Sequence, residues 1–333
     1  MTNTGLIITL GYPETIVRVA EEWYSPFLRF VGVGKKNYVR AGHAALVLID
    51  KKTGVLEYYD FGRYITSQPY GRVRGRDTDH ELDFALKAII ENDKVVNLNE
   101  ILHFLATQPK LTHGEGPLYA SVCNAVNYKR ARTYIDGMLS RNFVNYAAFA
   151  KDACNCARFV TDALIASVTD LEVQQKLKHS KWFTPSTLGN VVISDTEDKI
   201  FKVSDTGEFL PYNTSVSREN RRLFLDRLKA HESNFEGNLQ PKENHEKHEK
   251  AQWLSGIGSG AWFELHDVSH ENMYRFRRVS ADGDIDVDGL YRIENPEFDI
   301  DSEYEFVHHS NCKSFYVKQH DAVYQFQFVK KYA

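Results

Sequence analysis

Cysteine is scarce, with 4 residues in 333. That number cannot staple a chain of this length, so the sequence is not a disulfide scaffold. Cys154 and Cys156 are separated by one residue, but no second pair and no histidine pair stand at finger-like spacing, so no metal site is expected. A basic excess is also lacking. Lys and Arg number 41 against 45 Asp and Glu, a formal charge of −4, which gives no support to a nucleic-acid partner. No run approaches the ~20 apolar residues of a membrane span. The opening MTNTGLIITLGYPE lacks the basic n-region of a secretory signal. The default from composition is a cytoplasmic protein with free thiols.

Aromatics, at 13%, are plentiful and mostly Tyr and Phe, a composition that leans toward sheet. At ~100–200 residues per domain the length fits two domains. Leu6–Leu10 reads as a buried strand stopped by Gly11 and Pro13, and residues 15–30 carry helix-like spacing interrupted by Pro26. A hairpin follows: HAALVLID (43–50), the turn KKTG, and VLEYYDFG (55–62). Residues 68–79 read as a basic loop. Helical patterns cover 81–92, 98–107, 125–139 and the stretch after Asn155. LYASV (118–122) reads as a strand, residues 191–209 as short antiparallel strands, and 217–231 as a charged helix. Residues 232–251 are polar and read as a linker. Beyond them, short alternating strands recur about every ten residues, the pattern of a small all-β domain with a glycine-rich hinge at 253–262.

The chemistry centres on Cys156. From it, Phe159, Val160, Ala163 and Leu164 fall on one helical face. Asn155 is a suitable N-cap, which places Cys156 in the first turn, where free N–H groups and the helix dipole favour a thiolate. A buried core cysteine is the plain alternative. His43 opens the first strand of the hairpin. With Lys51 opposite Gly54, His43 falls opposite Gly62, and Asp60 and Tyr58 share its face. Asp60 is then placed to orient the imidazole, the third role in a Cys-His-acid arrangement, with Tyr58 as the fallback. Glu57 points the other way.

These residues carry a family resemblance. GHAALVL and EYYDFG, followed downstream by NCARFV, resemble the circularly permuted branch of the papain-like, NlpC-type cysteine amidases and peptidases. The lecithin–retinol acyltransferase-like proteins and PPPDE-type isopeptidases share this order, histidine early and cysteine late. Gly42 with His43 match the first motif, and Asn155, Cys156, Phe159 and Val160 the second. Tyr59 and Gly62 resemble the aromatic and glycine of the PPPDE return strand. The similarity spans roughly residues 38–165. Where the acyltransferases carry a second histidine on the return strand, this chain has Asp60 or Tyr58.

Other groups are candidates for substrate contact. Arg63, Arg72, Arg74 and Arg76 suit bidentate capture of a carboxylate, against internal pairing with the acidic run 77–83. Glu115, between two glycines, either lines the site or belongs to a turn. Cys154 reads as structural, with a redox partner of Cys156 as the alternative, and His308, His309, Cys312 and His320 read as ordinary β-domain residues. The expected protein is thus α+β: a permuted papain-like catalytic domain at 1–231, a charged linker at 232–251, and a small antiparallel β domain at 252–333. The expected activity is cleavage of an amide or isopeptide bond by Cys156 and His43, oriented by Asp60, with no cofactor. Tyr58, Arg63, Arg72, Arg74 and Glu115 are the expected substrate contacts, for an acidic peptide or peptide conjugate. A silent binding module and a thiol acyltransferase or thioesterase are the competing classes.

Overall fold

The computed structural model describes residues 2–20, 22, 33–35, 38–229, 240–241, 248–256, 259–268, 270, 272–281 and 283–332. The chain divides into two compact units. Residues 1–62 and 84–233 form the first, and residues 63–83 with 234–333 form the second. A single boundary near residue 250 is therefore a simplification: the segment just after the His43 hairpin belongs with the C-terminal unit. Most of 232–251 lies outside the described residues.

The first unit mixes helix and antiparallel sheet. Its central strand is β1 (Gly5–Tyr12), every residue of which is buried. β2 (Ile16–Arg18) and β3 (Tyr38–Arg40) pair with each other. Strand rather than helix therefore follows Pro13, and the rest of the expected helix at 15–30 lies almost wholly outside the described residues. β4 (His43–Asp50) and β5 (Leu56–Gly62) form the expected hairpin, with Ala45 facing Asp60 and Leu46 facing Tyr59. Its turn is longer than two residues: the Thr53 and Gly54 N–H groups both donate to the Asp50 carbonyl. With β9 (Leu118–Val126), β11 (Phe201–Val203) and β12 (Phe209–Leu210), the strands run in the order β5-β4-β1-β9-β11-β12.

Helices cover this sheet. The helix expected at 81–92 is instead a 3-10 turn at His80–Leu82 followed by β7 (Ile90–Glu91), which pairs with β8 (Lys94–Val95). The helix at Leu98–Ala106 is present. Tyr128–Ser140 starts at Asn127, whose side chain accepts from the Arg130 N–H, and the short strand β10 (Val144–Asn145) follows it. Cys156–Ser167 carries the candidate nucleophile. Residues 191–194, expected as strand, close the helix Thr187–Ser194. Its N-cap, Ser186, accepts from the Gly189 N–H and commits the segment to a helix. The charged helix runs over Val216–Phe224.

The second unit is built on a seven-stranded antiparallel sheet. Its strands are β13 (Gln252–Gly256), β14 (Ser259–Asp267), β15 (Met273–Ser280), β16 (Ile285–Ile293), β17 (Glu305–Phe306), β18 (Ser314–Gln319) and β19 (Ala322–Lys331), in the order β13-β14-β15-β16-β19-β18-β17. Gln252 of β13 donates to the Tyr304 carbonyl and accepts from the Phe306 N–H of β17. The two edges thus meet in a near-barrel, which hides otherwise exposed edge groups. The glycine-rich hinge expected at 253–262 is the β13–β14 hairpin. Ile65 packs into the same aromatic core as Phe276, Phe315 and Phe326, which is why residues 63–83 belong here. That segment is not a loop: Tyr70–Gly75 is a strand, β6.

Candidate active site

The helix Cys156–Ser167 starts as its sequence dictates. Asn155 is extended, and its side-chain oxygen accepts from the Arg158 N–H at 2.9 Å. Phe159, Val160, Ala163 and Leu164 are all fully buried. Buried Asn190 pins the first turn, donating to the Ala157 carbonyl at 2.8 Å and accepting from the Thr161 hydroxyl at 2.7 Å. Cys156, the first residue of the helix, is held in place by these contacts.

His43 reaches Cys156 from the hairpin. Gly42, just before it, has φ +80°, and a Cβ there would lie 2.9 Å from Pro13 Cα. Only glycine fits both the left-handed backbone and the close approach. The imidazole Nε2 lies 3.1 Å from Asp60 Oδ2, and both side chains are buried. That leaves Nδ1 outside the carboxylate contact; the Cys156 Sγ lies 4.0 Å from the carbonyl oxygen of Gly42, the residue before His43, and is close enough to the imidazole for the two groups to shift each other's ionisation. Tyr12, opposite His43 on β1, stacks on its ring at 6.5 Å.

The electrostatics favour an ion pair. Burial opposes charge on His43, but hydrogen bonds to Asp60 and Cys156 and their negative charge override it, and the imidazole pKa is raised to about 9. Burial likewise pushes the Cys156 thiol up, yet the hydrogen bond and charge of His43, with the N–H groups of Ala44 and Ala157, bring it below its ordinary value. Cys154 lacks such partners, and burial raises its thiol to about 12. The two thiols of the C-x-C pair are thus shifted in opposite directions.

Asp60 is itself supported. The Tyr58 hydroxyl lies 3.1 Å from Asp60 Oδ2 and 3.3 Å from the Thr112 carbonyl oxygen. Tyr58 is fully buried, so it backs the carboxylate and is not a substrate contact. Glu57 faces away, accepting from Tyr59, Tyr128 and Arg132.

The remaining expected substrate contacts have partners within their own units. Arg72 is buried in a two-pronged ion pair with Asp79, both contacts 2.7 Å. Arg74 lies over the Tyr64 ring at 4.0 Å, and Arg76 pairs with Asp83 at 3.2 Å. With Arg63, all four arginines belong to the second unit. The acidic run after them neutralises Arg72 and Arg76. The Glu115 carboxylate accepts from the Ile16 N–H, while its own N–H donates to Thr15. It fixes the chain after β1 and is not a cavity residue. Neighbouring Gly114 is required by packing, since a Cβ there would lie 2.2 Å from the Tyr12 ring.

A cavity of about 750 Å³ opens beside Cys156. Val39, Ala41 and Leu223 contribute to its walls, and Phe149, Phe183 and Phe224 are exposed residues among its lining. Sequence reasoning missed this feature and the stacking of Tyr12 on His43. The available signal was aromatics in polar connecting segments, as in SKWFTPS around Phe183, where no amphipathic pattern accounts for them.

Asp79, Glu81 and Cys312 are the one cluster of metal-type ligand atoms found among the described residues. Both Asp79 oxygens are taken by Arg72, and Arg278 pairs with Asp79 and Glu81. Guanidinium groups occupy the places a cation would need. No helix among the described residues is long and apolar enough to cross a membrane.

No curated protein matches the chain. A crystal structure of the type VI secretion system effector TseH aligns over 63% of this chain and 98% of its own, at 18% identity and a TM-score of 0.41. That likeness is too distant to assign any residue a role. Residues 251–329 match the DUF6695 C-terminal domain family. Residues 7–173, just over half of the sequence and the part that contains His43, Asp60 and Cys156, match the family described as type VI secretion system effector TseH-like. The chain belongs to that TseH-like effector family.

Proposed function

We propose that the protein is a cysteine hydrolase that cleaves an amide bond, with a permuted papain-like first unit. The observation that carries this reading is the buried line Cys156–His43–Asp60, in which a thiol with a lowered pKa meets an imidazole with a raised one. Cys156 thiolate attacks the carbonyl carbon, forming a C–S bond. The Ala157 N–H, at the helix start, is a donor for the developing oxyanion. His43 passes its proton to the leaving nitrogen as the C–N bond breaks. Water then attacks the thioester, giving its proton to His43, and the acid departs from the regenerated thiolate. Asp60 holds the imidazole in orientation throughout.

Family membership adds the setting. An effector acts where it is delivered, so the proposed site of action is a target outside the producing cell, in place of the cytoplasmic default. The test is turnover of a panel of fluorogenic amides by wild type and by Cys156→Ala. Product from wild type alone supports the reading, and equal product from both overturns it.

A further inference from the structure

A second cavity in the first unit, of about 320 Å³, is walled by other residues than the one beside Cys156. We propose that it is a binding site for a neutral carbohydrate ring. The proposal does not depend on the hydrolase reading.

The cavity is built at the β9–β11–β12 end of the sheet. Tyr119 of β9 pairs across the ladder with Lys202 of β11. The helix Val216–Phe224 adds Glu219 and Arg222, and the segment before it adds residues 211–214. Tyr119 is only 1% exposed, yet its hydroxyl makes no hydrogen bond among the described residues. A phenol so enclosed normally has a partner. Tyr212, whose ring centre lies 6.0 Å from that of Tyr119, also keeps its hydroxyl without a protein partner among the described residues. Thr214 Oγ1 is buried and unpaired. Three such hydroxyls on one wall point to a ligand that completes their hydrogen bonds.

The charges select its class. Lys202 lies 5.4 Å from the centre of the Tyr119 ring and has no carboxylate partner among the described residues. Arg222 is held by Glu14 at 3.0 Å and by Glu219 at 2.6 Å. These two cations and two carboxylates cancel, so no net charge draws an ion into the site. Glu219 is buried, and Arg222 uses only one of its oxygens. An anion would face that carboxylate at close range. An apolar ligand would leave the Tyr119 hydroxyl and the second Glu219 oxygen dry and unpaired. A sugar hydroxyl both donates and accepts, so one ring can accept from Lys202 and the phenols and donate to Glu219. Its C–H face suits the rings of Tyr212 and Pro211, and the exposed amide of Asn213 offers a further donor and acceptor. The volume lies at the lower end of ligand sites, the size for one or two rings.

The experiment titrates the full chain with the methyl glycosides of glucose, galactose, mannose and N-acetylglucosamine, read by saturation-transfer NMR. On the proposal at least one binds saturably, with a Kd of about 1–10 mM for so small a ligand. Tyr119→Phe and Lys202→Gln, each checked by thermal melt, should weaken it about three- to tenfold by removing one donor. Tyr212→Ala, which removes the ring face as well, should weaken it further, and Cys156→Ala should bind like wild type. Saturation by none of the four glycosides overturns the proposal. So does binding that every folded variant of Tyr119, Lys202 and Tyr212 retains in full, or binding that Cys156→Ala abolishes, since either places the sugar elsewhere. Inorganic phosphate that displaces the bound glycoside at lower concentration than the glycoside itself would mark the cavity as an anion site and also overturn it.

Discussion

Asp60 and His43 sit on neighbouring strands of one hairpin, on the same face, with Asp60 Oδ2 3.1 Å from His43 Nε2. The contact is dry, since Asp60 is fully buried. Asp60→Asn keeps the shape but removes the charge and the acceptor bias that fix the ring. Loss of the equivalent carboxylate in serine hydrolases lowers kcat by about 10⁴, and we expect a fall on the order of 10²–10⁴ here. Tyr58→Phe removes only one of the neutral donors near the carboxylate and should cost about tenfold or less. Steady-state kinetics of both variants check the ranking. Equal losses would contradict it.

The raised pKa of His43 makes a statement about stability. Its folded value, about 9, exceeds the unfolded value of about 6.5, so the protonated imidazole is bound more tightly in the folded chain. The resulting stabilisation is fully present below about pH 6.5 and is lost as pH rises through about 9. The gap in Tm between wild type and His43→Gln should therefore narrow between pH 7 and pH 10. A gap that stays constant over that range would show that His43 is neutral in the fold.

Gly114 fits against the face of Tyr12, which stacks on His43. Gly114→Ala places a methyl within 2.2 Å of that ring, and overpacking of this kind costs about 1–3 kcal/mol. We expect a lower Tm and a loss of kcat/KM larger than the loss of stability alone explains, because Tyr12 must move. Unchanged kinetics would separate Tyr12 from the site.

A truncation after Glu249 should not yield a well-behaved first unit. It removes Arg278, which pairs with Asp79 and Glu81, and the Cys312 N–H that donates to the Thr78 carbonyl. It also exposes Ile65, stripped of its aromatic neighbours. We expect aggregation on expression, and rescue when residues 63–83 are replaced by a short polar linker. A soluble, monomeric truncation that still holds residues 63–83 would show that this segment does not depend on the β domain.

How much was legible follows from how local each signal is. The hairpin register, the Asn155 cap and the apolar stripe from Phe159 to Leu164 depend on neighbours in sequence, and the residues alone place His43, Asp60 and Cys156 on their elements. The arginines misled because their partners are assigned by tertiary contact. A guanidinium that could have met a substrate carboxylate meets Asp79 instead. Strand β6 was hidden by its glycines and arginines, which read as loop until their burial is known. Residues 191–194 look β-branched and strand-like, yet the Ser186 cap makes them helix. The cavity had no sequence signature, since its walls come from segments scattered between Pro13 and Phe224.

The central claim is that His43 holds Cys156 as a thiolate. Its most direct test is the rate of iodoacetamide alkylation of Cys156 against pH, read by peptide mass spectrometry in native protein. The account predicts rapid labelling of Cys156 well below the ordinary thiol range of about pH 8.5, negligible labelling of Cys154, and loss of the low-pH reactivity in His43→Ala. Labelling of Cys156 that begins only above pH 8.5, or that is unchanged by His43→Ala, would contradict it.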